Sequence, residues 1–246
     1  MTLPRVPLVW RVGTVVAVRP EAARAKTIVV EVPDWPGHLA GQHVDVRLTA
    51  EDGYQAERSY SIASAPEDES LALTVERIDD GEVSLYLCDE LRAGDELELR
   101  GPIGGYFTWQ VADGGPLLLL AGGSGVVPLA AMLRHRTARG SRVDTRLLLS
   151  AGSWDDLLYR DELGRLGRDG VAVHYTLTRG APPHWSGWSR RVDAEMLREV
   201  GPGPRTQPRV FVCGPTPLVE HVANLLVGLG HDPRLVKTER FGPTGG

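Results

Sequence analysis

The sequence predicts a β + α/β fold, with an N-terminal antiparallel β-barrel over residues 1–110 and a C-terminal parallel-sheet α/β domain over residues 111–246. A chain of 246 residues is long enough for two domains that each bury a core. Up to Arg100 the β-branched segments are short and separated by turn residues, the pattern of a small antiparallel barrel. After Gly105 apolar runs alternate with longer helical stretches, as expected of parallel strands covered on both faces.

In chain order, barrel strands are expected at Val15–Val18, Thr27–Val32, His43–Leu48, Arg58–Ser61, Leu71–Arg77 and Glu96–Arg100. A helix is expected at Val83–Leu91, because Val83, Leu87, Cys88 and Leu91 repeat on one face. Cys88 is then a core residue. The join between the halves falls near Phe107–Gly115. Beyond it, strands are expected at Leu117–Leu120, Leu147–Ser150, Val171–Leu177, Val210–Cys213 and Leu235–Thr238. Helices fill the gaps between them. Pro128–Arg139 opens with proline in its first turn, where a missing N–H costs nothing. Trp154–Leu166 follows Ser153-x-x-Asp156, the spacing of a capping box. Val192–Val200 and Pro217–Leu229 complete the set.

Composition excludes several classes. Hydrophobic residues make up 42% and charged residues 24%, and 29 Gly with 18 Pro is far from a low-complexity chain, so disorder is not the main state. Two cysteines, Cys88 and Cys213, cannot build a four-cysteine cluster, and no metal site is expected. Gly114–Leu133 is uncharged over 20 residues, the length of a membrane span. The glycines of Ala121–Pro128 would break such a helix in mid-bilayer, so no span is expected. The first seven residues lack a basic stretch followed by an apolar core, and the expected location is the cytoplasm, with reduced thiols. The net charge of −5 hides an asymmetry: residues 1–110 carry 10 Lys+Arg against 19 Asp+Glu, and residues 111–246 carry 17 against 13. No nucleic-acid partner is expected.

Four short motifs bear chemistry. Leu117-Leu-Leu-Leu-Ala-Gly-Gly-Ser-Gly-Val-Val-Pro128 is a buried strand running into a glycine loop and then a helix. Glycines there let backbone N–H groups approach a phosphate at the positive end of a helix. The spacing Gly123-x-Gly125-x-x-Pro128 departs from GxGxxG, and no lysine follows, so a P-loop is excluded. A serine-hydrolase elbow would need glycine where Val126 stands. Arg58-Ser-Tyr-Ser61 offers an arginine for a pyrophosphate, a flat tyrosine face for a ring and small hydroxyl donors; its plain alternative is an ordinary strand. Cys213-Gly-Pro215 ends a strand just before a helix, where open α/β sheets place ligands; the plain alternative is an inert buried thiol. Glu239-Arg-Phe241 lies near the C-terminus.

Taken in order, these motifs resemble the ferredoxin–NADP reductase superfamily over roughly residues 8–243. The resemblance implies a flavin-holding barrel followed by a Rossmann-like nucleotide domain that delivers a nicotinamide. The family's RxYS motif matches Arg58, Ser59, Tyr60 and Ser61, implying Arg58 on the FAD pyrophosphate, Tyr60 packed on the isoalloxazine and Ser61 near flavin N5. Its V-x-R strand and G-x-V-S turn match Val75–Arg77 and Gly81-Glu-Val83-Ser84, implying backbone donors at the second face of that pyrophosphate. Its GGxGxxP loop matches Gly122–Pro128, so Gly123, Ser124, Gly125 and Pro128 are implied to hold the NAD(P) pyrophosphate. The CGP motif matches Cys213, Gly214 and Pro215, with the thiol beside the nicotinamide. The terminal Glu-x-aromatic pattern matches Glu239, which would relay protons or orient the cysteine, and Phe241, which would cover the flavin. Stand-alone bacterial members end in ERFGP, as Glu239–Pro243 do. Ser61, Cys213 and Glu239 are the implied catalytic residues.

Members that use NADP carry arginines that match Arg179 and Arg191, and Ser150 closes the preceding strand. Many relatives read Ser-Ala-Arg where this chain has Ser150-Ala-Gly152, and Arg190 is a further cation nearby. The implied cofactors are FAD and NADP, with NAD the less favoured nicotinamide. Hydride would pass from NADPH to FAD, and single electrons to a separate acceptor protein such as a ferredoxin, a flavodoxin or an oxygenase component. Competing classes are a flavin reductase or diaphorase with a small-molecule acceptor, and a non-enzymatic NAD(P)-sensing module. A subunit like that of dihydroorotate dehydrogenase would need a C-terminal cysteine cluster that two cysteines cannot provide.

Overall fold

A computed structural model describes residues 8–242 of the chain. The reading of the first seven residues and Pro243 of the terminal motif lie outside them. The barrel half consists of β1 (Trp10–Ala22), β2 (Ala25–Glu31), β3 (His43–Thr49), β4 (Gln55–Ser61), β5 (Leu71–Glu76) and β6 (Glu96–Ile103). These pair antiparallel in the order β4-β3-β6-β1-β2-β5. An Ile62–Leu73 bridge and a 2.7 Å bond from Ala63 N–H to the Ala72 carbonyl join the outer strands and close the barrel. Val15, Ile28, Val44, Val46, Leu73 and Leu99 fill it, plugged at one end by Val83, Leu87, Cys88 and Leu91.

Two of the barrel elements differ from expectation. Strand β1 begins at Trp10 rather than Val15, because Trp10–Thr14 pair with β6 before Thr14–Ala22 pair with β2. The expected Val83–Leu91 helix is α1 (Glu82–Leu85), which widens into a π-turn over Tyr86–Glu90, closed by Leu91 N–H on the Tyr86 carbonyl at 3.0 Å. The apolar face was right, since one wide turn keeps all four predicted side chains buried.

The second half alternates β7 (Leu117–Gly122), α2 (Val126–Ala138), β8 (Thr145–Ser153), α3 (Arg160–Arg168), β9 (Val171–Gly180), α4 (Ala194–Val200), β10 (Arg209–Pro215), α5 (Thr216–Gly228) and β11 (Val236–Phe241). All five strands are parallel, in the order β11-β10-β7-β8-β9. The chain therefore builds outward from β7 through β9 and returns to the other side of β7 with β10. That reversal is a topological switch point, where the ends of β7 and β10 diverge into opposite layers. Leu117 and Leu119 face one helical layer and Leu118 and Leu120 the other, which is why the strand reads as an unbroken apolar run. No helix among the described residues is long and apolar enough to cross a membrane.

One helix is corrected. The expected Trp154–Leu166 helix starts only at Arg160. Asp156 does accept from Ser153, through both N–H (2.9 Å) and Oγ (2.8 Å), but these bonds tie a turn. Tertiary contacts explain the delay. Trp154 N–H is held by the Gly180 carbonyl, and Tyr159, at φ 56°, gives its N–H to Glu21 of the barrel at 2.9 Å.

Tyr159 is also a pin between the two halves. Its hydroxyl donates to Thr74 on β5, which pairs with Thr27 at 2.8 Å, while Arg134 of α2 lies 4.6 Å over its ring. Arg134 bonds bidentately to Glu162 (2.8 and 2.6 Å) and donates to the Ala63 carbonyl of the barrel. One residue on, His135 donates through Nδ1 to Glu67 at 2.9 Å, with Nε2 accepting from Val111. Barrel residues Ala25, Ala40 and Ala63, with Phe107 and Trp109, share one apolar cluster with Leu129, Met132 and Leu133 of α2. Arg134→Met removes the bridge and strands Glu162 and the Ala63 carbonyl, so it should cost about 2–3 kcal/mol in urea unfolding. A loss under about 1 kcal/mol would mean that the apolar cluster and the Tyr159 and His135 contacts hold the halves together without it.

Candidate functional site

A cavity of about 500 Å³ opens between the barrel and the carboxyl ends of β10 and β11. A groove of about 390 Å³ continues from it along the ends of β7, β8 and β9. Glu76 and Ser124 line both, so they form one cleft.

The barrel wall of the cavity carries Arg58, Ser59, Tyr60 and Ser61 from β4 and Gly81, Val83 and Ser84 from the turn into α1. Ser59 donates to Asp45 at 2.6 Å, and Asp45 is held in turn by Arg100 at 2.7 Å. Burial pushes the Tyr60 phenol up, so its ring stays neutral. Arg58 spends one donor on the Glu57 carbonyl at 2.7 Å and remains exposed. Ser84 Oγ bonds the Ile78 N–H and the Gly81 carbonyl; a Cβ at Gly81 would stand 2.6 Å from that oxygen, so the turn needs glycine there. Opposite Ser61 in register stands His43, which the sequence reading missed. Burial lowers its pKa, which favours the neutral imidazole.

Val75 is corrected. Its side chain lies in the barrel core, and strand alternation turns Thr74 and Glu76 on either side of it toward the cavity. Period-two parity alone would have found both neighbours.

The opposite wall comes from the parallel sheet: Ser124, Val127, Cys213, Glu239 and Phe241. Glu239 stands level with Cys213 across β10 and β11, and Phe241 level with Pro215 at the rim. Burial pushes the Glu239 carboxyl up to about 7, and its Oε2 is buried without a partner among the described residues. Burial, then the nearby Glu239, raises the Cys213 thiol, which therefore stays protonated at neutral pH. The geometry sets a neutral sulfur beside a carboxyl able to hold or release a proton near pH 7.

In the groove, Gly123 at φ 53° turns the loop, with no atom within 4 Å of where its Cβ would point, and α2 has no side-chain N-cap. Ser150, Thr178, Arg179 and Pro215 line the groove from the sheet, and Ala22, Arg24 and Ala25 from the barrel hairpin. Arg24, also missed from sequence, is paired with Asp79 at 2.7 Å. Besides Val75, four expected contacts are not brought to either space. Gly125 is packed against β10, where a Cβ would lie 2.2 Å from the Cys213 carbonyl oxygen; Gly214 packs against Gly122. Pro128 is buried in the first turn of α2, where it fits without its N–H. Arg191 is exposed and outside the groove lining, and Arg190 is held by Asp193 and Glu195 at 2.6 and 2.8 Å.

Residues 26–108 match the family described as "Oxidoreductase FAD-binding domain" and residues 119–224 that described as "Oxidoreductase NAD-binding domain". The chain is 37% identical to "Ferredoxin--NADP reductase B" of Sorangium cellulosum, over 92% of this chain and 95% of that protein. It is 34% identical to the "Glycine betaine monooxygenase reductase subunit" of Pseudomonas aeruginosa over 83% of this chain, but spans only 56% of that protein. Among solved structures, Amycolatopsis cytochrome P450 reductase superposes with a TM-score of 0.83 at 27% identity, over 97% of this chain and 72% of that one.

The cleft fits FAD and a nicotinamide nucleotide. It offers an exposed arginine, a half-buried aromatic face and hydroxyls on one wall, and on the other an uncapped glycine loop and a carboxyl oxygen with no partner among the described residues. Glu239 ionises near 4.5 when unfolded and near 7 when folded, so the folded state holds the extra proton in that window. Stability therefore falls as pH rises from about 4.5 to 7. Glu239→Gln, which cannot ionise, should gain on the order of 2 kcal/mol over the unsubstituted protein between pH 5 and 8, in urea melts at fixed FAD. Parallel stability curves for the two proteins would show that Glu239 is solvated.

Proposed function

This chain belongs to the ferredoxin–NADP reductase superfamily as an oxidoreductase binding FAD and a nicotinamide nucleotide, and from that premise we propose that it takes hydride from NADPH rather than NADH and passes electrons singly to a separate redox protein. The observation that carries the reading is the single cleft in which the Arg58–Ser61 wall faces Cys213 and Glu239, with the groove continuing past Ser124 to Arg179. Flavin, when bound, accepts a hydride and releases electrons one at a time.

The chain's own residues bind, orient and exclude. Arg58 and the Gly81–Ser84 turn bind the FAD pyrophosphate, and Tyr60 supplies a neutral face for the ring. Ser61 donates a hydrogen bond at the reacting edge. Gly123, Ser124 and Pro215 hold the nicotinamide nucleotide's pyrophosphate side, with Ser150 and Arg179 toward its 2′ position. Cys213, kept as a thiol, gives the nicotinamide an uncharged neighbour, and Glu239 holds a proton beside it. Phe241 covers the rim. The acceptor is a ferredoxin, a flavodoxin or an oxygenase component, in keeping with relatives named for a ferredoxin and for a monooxygenase.

Ser61→Ala and Cys213→Ala should each slow stopped-flow flavin reduction by roughly tenfold or more while FAD stays bound. Unchanged rates in both would remove these roles. Arg58→Ala should instead weaken FAD retention by roughly 10- to 100-fold in dialysis, with full retention counting against its placement. In steady state, kcat/KM for NADPH should exceed that for NADH by about tenfold or more, the worth of one charge-assisted contact. A preference for NADH would end the coenzyme half of the reading. Reduction of protein acceptors no faster than of free flavin would end the partner half.

A further inference from the structure

Ser61 and Ser124 line the cavity from opposite walls, one at the end of β4 and the other in the glycine loop. The space between them is fixed by a short circuit behind the cavity. The glycine loop runs directly into α2, and Arg134 stands on that helix about 12 Å from its start at Val126. The Arg134 guanidinium donates to the carbonyl of Ala63, which follows Ser61 by about 7 Å of extended chain. Helix, guanidinium and strand end thus connect the loop to Ser61 through a single hydrogen bond.

The barrel makes room for that bond. Ala63 N–H bonds the Ala72 carbonyl at 2.7 Å, and in a regular antiparallel pair the Ala72 N–H would return to the Ala63 carbonyl. Here the Ala72 N–H goes to Ser64 Oγ at 3.0 Å instead, which leaves the Ala63 carbonyl to α2. The guanidinium is aimed as well. Glu162 takes its Nε and Nη2, the Tyr159 ring lies 4.6 Å from it, and Nη1 is the donor turned to Ala63. A planar fork held along one edge points its remaining donor in one direction, which the compact charge of a lysine does not do. His135 grips the same segment at Glu67, and Ala63 is buried in one cluster with Leu129, Met132 and Leu133.

We propose that Arg134 is a positioning residue for hydride transfer: through the Ala63 carbonyl it sets where Ser61 stands relative to the Gly123–Gly125 loop, and so how the flavin edge meets the nicotinamide. The proposal rests on the hydride reading above and on Ser61 standing at the reacting edge. Arg134 lines neither the cavity nor the groove, so its effect on the reaction passes through Ser61. Small displacements at a reacting centre cost rate far more than they cost binding.

The test compares Arg134→Lys, Ser61→Ala and the double variant with the unsubstituted protein, each loaded with FAD. Arg134→Lys keeps a cation beside Glu162 and should fold. In stopped-flow reduction by NADPH it should lower the rate at saturation by roughly fivefold or more, with the NADPH dissociation constant from the same titration moving less than about twofold. In the Ser61→Ala background the same substitution should cost less than about twofold, because the group it places is already gone. Without turnover, the nitrogen NMR resonance of FAD labelled at N5 should move in Arg134→Lys in the direction it moves in Ser61→Ala. An unchanged saturating rate, equal slowing in both backgrounds, or an unmoved N5 resonance would each overturn the proposal, the second by showing a general loosening of the halves. If Ser61→Ala itself left both rate and resonance unchanged, the role given to Ser61 above would fall, and this proposal with it.

Discussion

Where the loop after β7 crosses the end of β10, backbone meets backbone with no room for a side chain: a Cβ on Gly125 would lie 2.2 Å from the Cys213 carbonyl oxygen and 2.7 Å from the Gly214 nitrogen. Everything in the cleft is referenced to that contact. It brings the start of α2 and the end of β10 together at the switch point of the sheet, and register then carries Glu239 level with Cys213. The glycines in the Gly122–Gly125 run therefore answer to different demands. Gly123 turns the chain into a left-handed conformation over open space, whereas Gly125 and Gly122 make way for β10 and for α5. A left-handed turn and a packing seam are written in the same four letters.

The barrel half was legible because its strands are short and its turns are glycine- and aspartate-rich, and the parallel half because its strands are apolar on both faces. What the sequence could not show was long-range. The start of α3 slipped six residues because Glu21, far away in sequence, claims the Tyr159 N–H. In the site, Arg58, Tyr60, Ser61, Cys213 and Glu239 were found because each belongs to a motif that stays together along the chain. His43, Thr74 and Arg24 belong to no motif and reach the cleft only through strand pairing or a hairpin from the other half. Conversely, Val75, Pro128 and Arg191 carried motif letters but face the core or the solvent. Motif membership marks where the backbone must go, and strand parity decides which side chains arrive.

The charge asymmetry also reads differently in three dimensions. The groove is lined by two cations, Arg24 and Arg179, and two anions, Glu76 and Asp156, one of each sign from each half. The positive balance of residues 111–246 is therefore not concentrated there. Local placement decides what the groove attracts, because at physiological salt exposed charges beyond roughly 8 Å are largely screened.

Thr74 has two attachments at once: it lines the cavity, and its hydroxyl receives the Tyr159 pin from the other half. A hinge that swung the halves apart would have to pull on the cavity wall itself, with Arg134, Glu162 and His135 resisting alongside. The opposite rim carries no such tie among the described residues: Phe241 is 38% exposed at the last position of an edge strand.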